Sequence, residues 1–388
     1  MDGVVWEHSR TLLQPTLHKD RISNLGFFEK SLEQCITQIP GDGSTIDVQP
    51  LLSNLFIDTA ANSLLGHPLG MMGETQLRHS PIDGKKFQKA FMLSLRGCAM
   101  RLELGIFAYF LPRSMTSDNW SVVHQLVDYC IDEAFKRKGQ ANVRDHDSLL
   151  DDLVEKTDDK LVIRNLVIQA MMASQDTTPT LIANAIFLLA RSPSVWARLR
   201  EEVATIKPGN YTPDNARKSK LLHHILLECK SYNDMRRISS ANHFAVALRL
   251  CPVFSTFNRV ALRHTTLPTG GGPTKDRPIF VPAGTVVAAD FYALHRDKSF
   301  YGPNAESFDP DRWQHMQAGP WHYMGFGGGP RACLGKQKAL TEASCALIRF
   351  AQAFSRIESR DSNPWTGDQK LVAKNVHGCK VALFAAKI

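Results

Sequence analysis

The run Phe326-Gly327-Gly328-Gly329-Pro330-Arg331-Ala332-Cys333-Leu334-Gly335 constrains this chain more than any other feature. Three successive glycines let a backbone approach a large flat ligand closely and adopt positive φ. Arg331 adds a fixed positive charge suited to a carboxylate, two residues before Cys333. A cysteine placed just before a helix is expected to lose its proton readily, because the helix N-terminus and its free N–H groups stabilise a thiolate. For a lone Gly-Gly-Gly, a turn holding an incidental buried cysteine is the simpler explanation. The whole ten-residue pattern asks for a ligand site.

Length and composition leave room for one. A chain of 388 residues can bury a large core, and 43% hydrophobic with 22% charged residues excludes wholesale disorder. The formal charge of +8 is compatible with nucleic acid, an anionic membrane or an acidic protein partner. No dense Lys/Arg cluster with interleaved aromatics is present, so nucleic-acid binding is not expected. Eight cysteines, at 35, 98, 130, 229, 251, 333, 345 and 379, form no CxxC pair and no zinc-like cluster. They read as reduced thiols, mostly small buried hydrophobes. The longest apolar stretch, 181–190, is interrupted by Asn184 and falls short of a bilayer span, so no transmembrane segment is expected.

Helical periodicity dominates the first two thirds. Apolar residues recur at three- and four-residue spacing through 122–135 and 161–189, Ser192-Pro193 ends the second stretch, and 194–206 restarts as a helix. Beyond Pro252 the texture changes. Segments 253–262 and 279–289 are rich in Val, Phe and Ile and flank the turn-forming 269–274, which predicts a small sheet. A Pro- and Gly-punctuated loop follows over about 301–330, and 334–354 is strongly helical. The fold class read from this order is mainly α with a small β part, 1–388 forming one domain that ends in a closing helix.

The decapeptide resembles the haem loop of the cytochrome P450 family, Phe-x-x-Gly-x-Arg-x-Cys-x-Gly, with Phe326, Gly329, Arg331, Cys333 and Gly335 in every defining position. The resemblance implies a haem cofactor (iron protoporphyrin IX) with Cys333 as axial ligand to its iron, an arrangement that favours O–O cleavage. Other segments agree in chain order. Ala173-Ser174-Gln175-Asp176-Thr177-Thr178 is similar to the family's Ala/Gly-Gly-x-Asp-Thr-Thr, which gives Asp176 and Thr177 the delivery of protons to iron-bound oxygen. Thr and Asp in mid-helix compete for the backbone, and Pro179 removes a donor, so the helix is expected to loosen there into a groove. Ser174 replaces the usual Gly. Trp6 and Arg10, one turn apart, look like the Trp-x-x-x-Arg pair that holds a haem propionate, and Arg259 matches a second propionate-facing Arg. Phe308-Asp-Pro-Asp-Arg312-Trp313 resembles the segment whose Arg locks onto a Glu-x-x-Arg pair.

That Glu-x-x-Arg motif is disturbed. Arg249-Leu-Cys-Pro252 supplies the Arg, yet Val246 stands three positions earlier. Removing 229–246 would join Glu228 to Ala247-Leu248-Arg249 and restore the spacing; a retained intron and a looped-out surface insertion are the two explanations. Family members also carry an anchor, a first sheet and several helices ahead of the Trp-x-x-x-Arg helix, which here begins almost at residue 1, so an N-terminally truncated P450 fold is expected.

The segments 339–344, 267–273 and 2–10 narrow the resemblance to the fungal alkane- and fatty-acid-hydroxylating group. It implies a monooxygenase acting on an apolar substrate, a long-chain alkane or fatty acid or a secondary metabolite such as a polyketide. Electrons would come from NADPH through a cytochrome P450 reductase docking near Arg331, Lys336 and Lys338, although the surplus basic charge also reads as scattered surface charge. By the same resemblance the protein would work at the cytoplasmic face of the endoplasmic reticulum. Two alternatives stay open: a catalytically silent remnant, and a haem-thiolate isomerase or dehydratase.

Overall fold

The computed structural model describes residues 3–17, 22, 24–73, 80, 82–112, 117–138, 148–206, 211, 219, 221–222, 225, 247–316, 319, 321–368 and 371–386. Helices α1 (Gly3–Leu13) and α2 (Gly26–Thr37) lead into strand β1 (Asp42–Asp47) and α3 (Val48–Leu65). Then come α4 (Gly84–Leu104), α5 (Ser117–Arg137), α6 (Leu149–Lys156), α7 (Lys160–Leu189), α8 (Pro193–Val203) and the short α9 (Ala247–Leu250). Side-chain caps fix several starts: Asp47 for α3, Asp83 for α4, a Ser148/Asp151 capping box for α6, and Asp159 for α7.

The 30-residue α7 is the spine. From Thr178 to Ala190 every side chain is buried, which marks a helix enclosed on all sides. This half lies in one core with α2, α3, α8 and the later α12 (Lys336–Ala353). The first half of α7 packs in a second core with α4, α5 and α6. Pro179 does not break α7, whose helical assignment is continuous. Around it Thr177 and Thr180 donate to the carbonyls of Ala173 and Asp176, at 2.7 and 2.6 Å, back-bonding of the kind that weakens and bends a helix without ending it.

The β part is two nested hairpins where one pair of strands was expected. Strands β2 (Thr256–Val260) and β5 (Val286–Asp290) pair antiparallel, and between them β3 (Thr265–Gly271) pairs β4 (Arg277–Val281). The Val-, Phe- and Ile-rich segment 279–289 is split by a turn at Pro282–Thr285, where Gly284 has φ 84°. Short helices α10 (Phe291–Leu294) and α11 (Lys298–Tyr301) follow. The chain does not end in α12: β6 (Phe354–Ser359) and β7 (Lys380–Ala385) continue it, and β1 joins them in the order β1-β7-β6. Among the described residues no single helix is long and apolar enough to cross a membrane.

Candidate active site

Cys333 lies between a 3-10 turn, Gly329–Arg331, and the start of α12. Its amide donates to the Phe326 carbonyl, and that of Ala332 to the Gly329 carbonyl, both at 3.0 Å, winding the loop into successive turns. Gly327 and Gly329 have φ of 70° and 69°, a region that costs other residues strain. A Cβ on Gly328 would meet Trp321 and Met324 at 3.1 and 3.2 Å, whereas one on Gly329 would meet nothing within 4 Å. One glycine is demanded by protein packing. The other borders open space against which a flat group can lie.

The Cys333 residue is exposed, yet enough protein surrounds its sulfur for lost hydration to dominate the titration and raise the pKa. The amides of Gly335 and Lys336, and the charges of Lys336 and Arg10, favour the thiolate. Desolvation outweighs them, which corrects the expectation that the helix start alone makes this thiol readily ionised. A metal cation bound at the sulfur would supply the missing stabilisation.

Helix α1 closes on this loop. The Arg331 guanidinium lies 4.0 Å from the Trp6 ring centre and that of Arg10 5.6 Å from it, while Arg10 Nη1 donates to the Ala332 carbonyl at 3.5 Å. One-turn spacing thus sets Trp6 and Arg10 on the face that meets the cysteine loop. Phe326 is half-buried against the core, with Lys336 Nζ 5.8 Å from its ring centre. Lys338 is engaged by Glu342.

Arg259 makes local contacts among the described residues. On exposed β2 it donates to the Asn258 carbonyl at 2.9 Å and lies 5.1 Å from the Phe257 ring centre. The side chain of β2 that nears the loop is Phe257, 4.0 Å from where a Gly327 Cβ would stand. Sequence reading passed over it. Its place two residues before Arg259, on the same strand face, was the available signal.

Along α7 the exposed Asn165, Gln169 and Ala173, then half-buried Thr177, recur every four residues on one face. This is the open side of an otherwise enclosed helix. The Thr177 hydroxyl hydrogen is committed to the Ala173 carbonyl, so its oxygen is left to accept. Ser174 likewise donates to the Ala170 carbonyl at 2.9 Å. Asp176 is buried and its carboxylate is gripped by Lys374, a residue that sequence reading missed because 198 positions separate the two.

The arginine network sits beside the loop. Arg249 is fully buried, donating to the carbonyls of His295, Ala305 and Ser307 at 2.9, 2.5 and 3.1 Å. Arg312 donates to Tyr301 and Asn304. Burial, and then the Arg312 charge, lower the Arg249 pKa to about 10. Among the described residues no carboxylate pairs with either, and Glu228 lies outside the described residues, as does the whole of 229–246.

The donor set fits haem. A single accessible sulfur, a glycine-backed opening and arginines beside it match a flat iron macrocycle with acidic edges. Among the described residues no group of three or more His, Cys, Asp or Glu could hold a metal by itself. A family model described as Cytochrome P450 matches residues 1–380. The chain belongs to the cytochrome P450 family. Its P450 relatives include the Cytochrome P450 monooxygenase himC of Aspergillus japonicus, 34% identical over 99% of this chain and 67% of that protein. The Cytochrome P450 monooxygenase FPY7 of Fusarium mangiferae is 33% identical, over 100% of this chain and 72% of its own length. Cytochrome P450 52A12 of Debaryomyces hansenii is also 33% identical, over 93% and 70%. This P450 therefore falls in an enzyme class of haem-iron oxidoreductases, with fungal monooxygenases as relatives, and spans about two thirds of their length.

Proposed function

We propose that this chain is a haem-thiolate monooxygenase inserting one oxygen atom of O₂ into a C–H bond of an apolar substrate, the other atom leaving as water. The observation that carries this reading is exposed Cys333 in a glycine loop that borders open space at Gly329 and is met by Trp6 and Arg10 at Arg331 and Ala332. When bound, haem supplies the activation of O₂, which no side chain can perform. Cys333 would hold its iron, Trp6, Arg10, Arg331 and Arg259 its carboxylates, and Phe326 its loop-side edge. Asp176 takes up a proton and passes it on; Thr177, its hydroxyl hydrogen fixed on Ala173, holds a water by its oxygen.

The substrate class we assign is a long-chain alkane or fatty acid, or a fungal secondary metabolite such as a polyketide. Exposed Ala173 and Phe254 support an apolar lining. We assign the electrons to NADPH by way of a cytochrome P450 reductase, which would meet the basic side chains at Arg331 and Lys336. Membrane association at the endoplasmic reticulum is supported by Phe107, Tyr109 and Phe110, exposed by 63%, 90% and 80% on one short segment. Residues 1–388 are read as one domain, in keeping with the family match over 1–380. The test is incubation of the purified chain with reductase, NADPH and a panel of fatty acids, alkanes and polyketides. A product heavier by one oxygen atom supports the proposal; NADPH-independent isomerisation or dehydration would replace it.

A second reading, a P450 chain that takes up no haem, is favoured by Arg249, buried without a carboxylate among the described residues. Haem uptake separates the two.

A further inference from the structure

Lys374 belongs to the long connection between β6 and β7, far from any segment that sequence reading assigned to the site. The described residues of that connection are well bonded. Gly367 bridges Asn375, the Asp368 amide donates to the Lys374 carbonyl at 2.7 Å, and the Ala373 amide donates to the Val253 carbonyl at 2.9 Å. Asn375 is buried; its Oδ1 accepts from Thr366 and its Nδ2 donates to the Gly378 carbonyl at 2.8 Å. The same connection is fastened to α7 by Trp365, whose Nε1 donates to Asn184 Oδ1 at 2.9 Å, and by Cys379, whose thiol donates to the Ala183 carbonyl. From this fixed base the Lys374 ammonium reaches Asp176 Oδ1.

A surface Lys–Asp pair contributes little. This one is different in burial: the Asp176 side chain is 12% exposed and that of Lys374 24%. Lys374 is the only cation that pairs with Asp176 among the described residues, so its removal leaves a buried carboxylate uncompensated. Holding Oδ1 leaves Oδ2 without a hydrogen bond among the described residues, as the oxygen able to accept and release a proton. The neighbouring Thr177 meanwhile faces the open side of α7.

We propose that Lys374 is a positioning residue that holds the Asp176 carboxylate by Oδ1 and presents Oδ2 for proton delivery. This rests on the role given to Asp176 in the proposed function. Lys374 touches neither substrate nor cofactor in this account. It acts through Asp176, and it ties proton delivery to the β6–β7 connection.

The experiment uses the purified full chain in four forms: wild type, Lys374→Met, Asp176→Asn and the double variant, with Lys374→Arg as the conservative control. Product formed per NADPH consumed is measured on the haem-loaded protein, and urea unfolding midpoints are measured without turnover. The expected result is a loss of coupling of roughly tenfold in each single variant, none further in the double, and recovery to within about twofold in Lys374→Arg. The unfolding midpoints of the four forms should show non-additivity, since the two charges compensate each other. Additive losses of coupling, or wild-type coupling in Lys374→Met, overturn the proposal while leaving the proposed function standing. Failure of the wild-type protein to load haem overturns both.

Discussion

Arg249 and Arg312 meet at one residue, Tyr301: the first lies 4.9 Å from its ring centre and the second donates to its carbonyl. Both guanidinium groups are buried, and among the described residues the Nε of each has no hydrogen-bond partner. Carbonyls at 295, 301, 304, 305 and 307 and the Asn304 side chain accept from the terminal nitrogens, but dipoles leave two neighbouring positive charges uncompensated by any carboxylate among the described residues. A single carboxylate at this point would compensate both charges.

Excising 229–246 joins Glu228 to Ala247 and sets a carboxylate three positions before Arg249. The shortened chain should gain stability on the order of 3 kcal/mol, the scale of completing a broken buried pair. Denaturant unfolding of the two proteins side by side checks this. An unchanged or lower midpoint argues that the 18 residues belong to the native protein.

His295 should make the protein acid-sensitive. It is fully buried, its Nε2 accepts from the Met324 amide at 2.9 Å, and its ring stacks on Tyr323 at 5.1 Å. Burial, then the charges of Arg249 and Arg296, lower its pKa from 6.5 to about 3. Because the folded value is depressed, the unfolded chain binds the extra proton between those limits. The contribution of neutral His295 is therefore complete above about pH 6.5 and lost progressively as pH falls toward 3. Unfolding midpoints across that window should fall with pH by up to about 1.4 kcal/mol per unit, and His295→Gln should flatten the slope. An equal slope in the variant would assign the acid sensitivity elsewhere.

The loop glycines should separate folding from haem retention. Gly329→Ala meets no protein atom, so its folding cost is the left-handed backbone, about 1 kcal/mol. Its methyl would project where a flat cofactor lies, and haem retention should drop by more than the stability does. Gly328→Ala presses on Trp321 and Met324 instead and should cost stability first. Thermal melts read against haem-to-protein ratios distinguish the two; parallel losses in Gly329→Ala would remove the cofactor from that face.

Local chemistry was legible in the sequence wherever it is carried by short spacing. The decapeptide at Cys333, the one-turn pair Trp6 and Arg10, and the periodicity of α5 and α7 needed only neighbours to interpret. What was missed depends on contacts closed late by the fold. Lys374 reaches Asp176 across 198 positions, and β1 completes a sheet with β7 from the opposite end of the chain. The 279–289 run read as one segment because of its Val, Phe and Ile content, although the local turn signal Pro282-Ala283-Gly284-Thr285 between β4 and β5 was visible in it. Thiol acidity at Cys333, by contrast, was misjudged for a non-local reason. The helix start is local and visible, but desolvation by surrounding protein is not.

The central claim is that Cys333 holds haem iron as its thiolate, and the most direct measurement is the absorption of the reduced, CO-treated protein. The account predicts a band at about 450 nm in the wild-type chain and its loss in Cys333→Ala. Failure of the wild-type chain to take up haem, or a band that survives in Cys333→Ala, would contradict it.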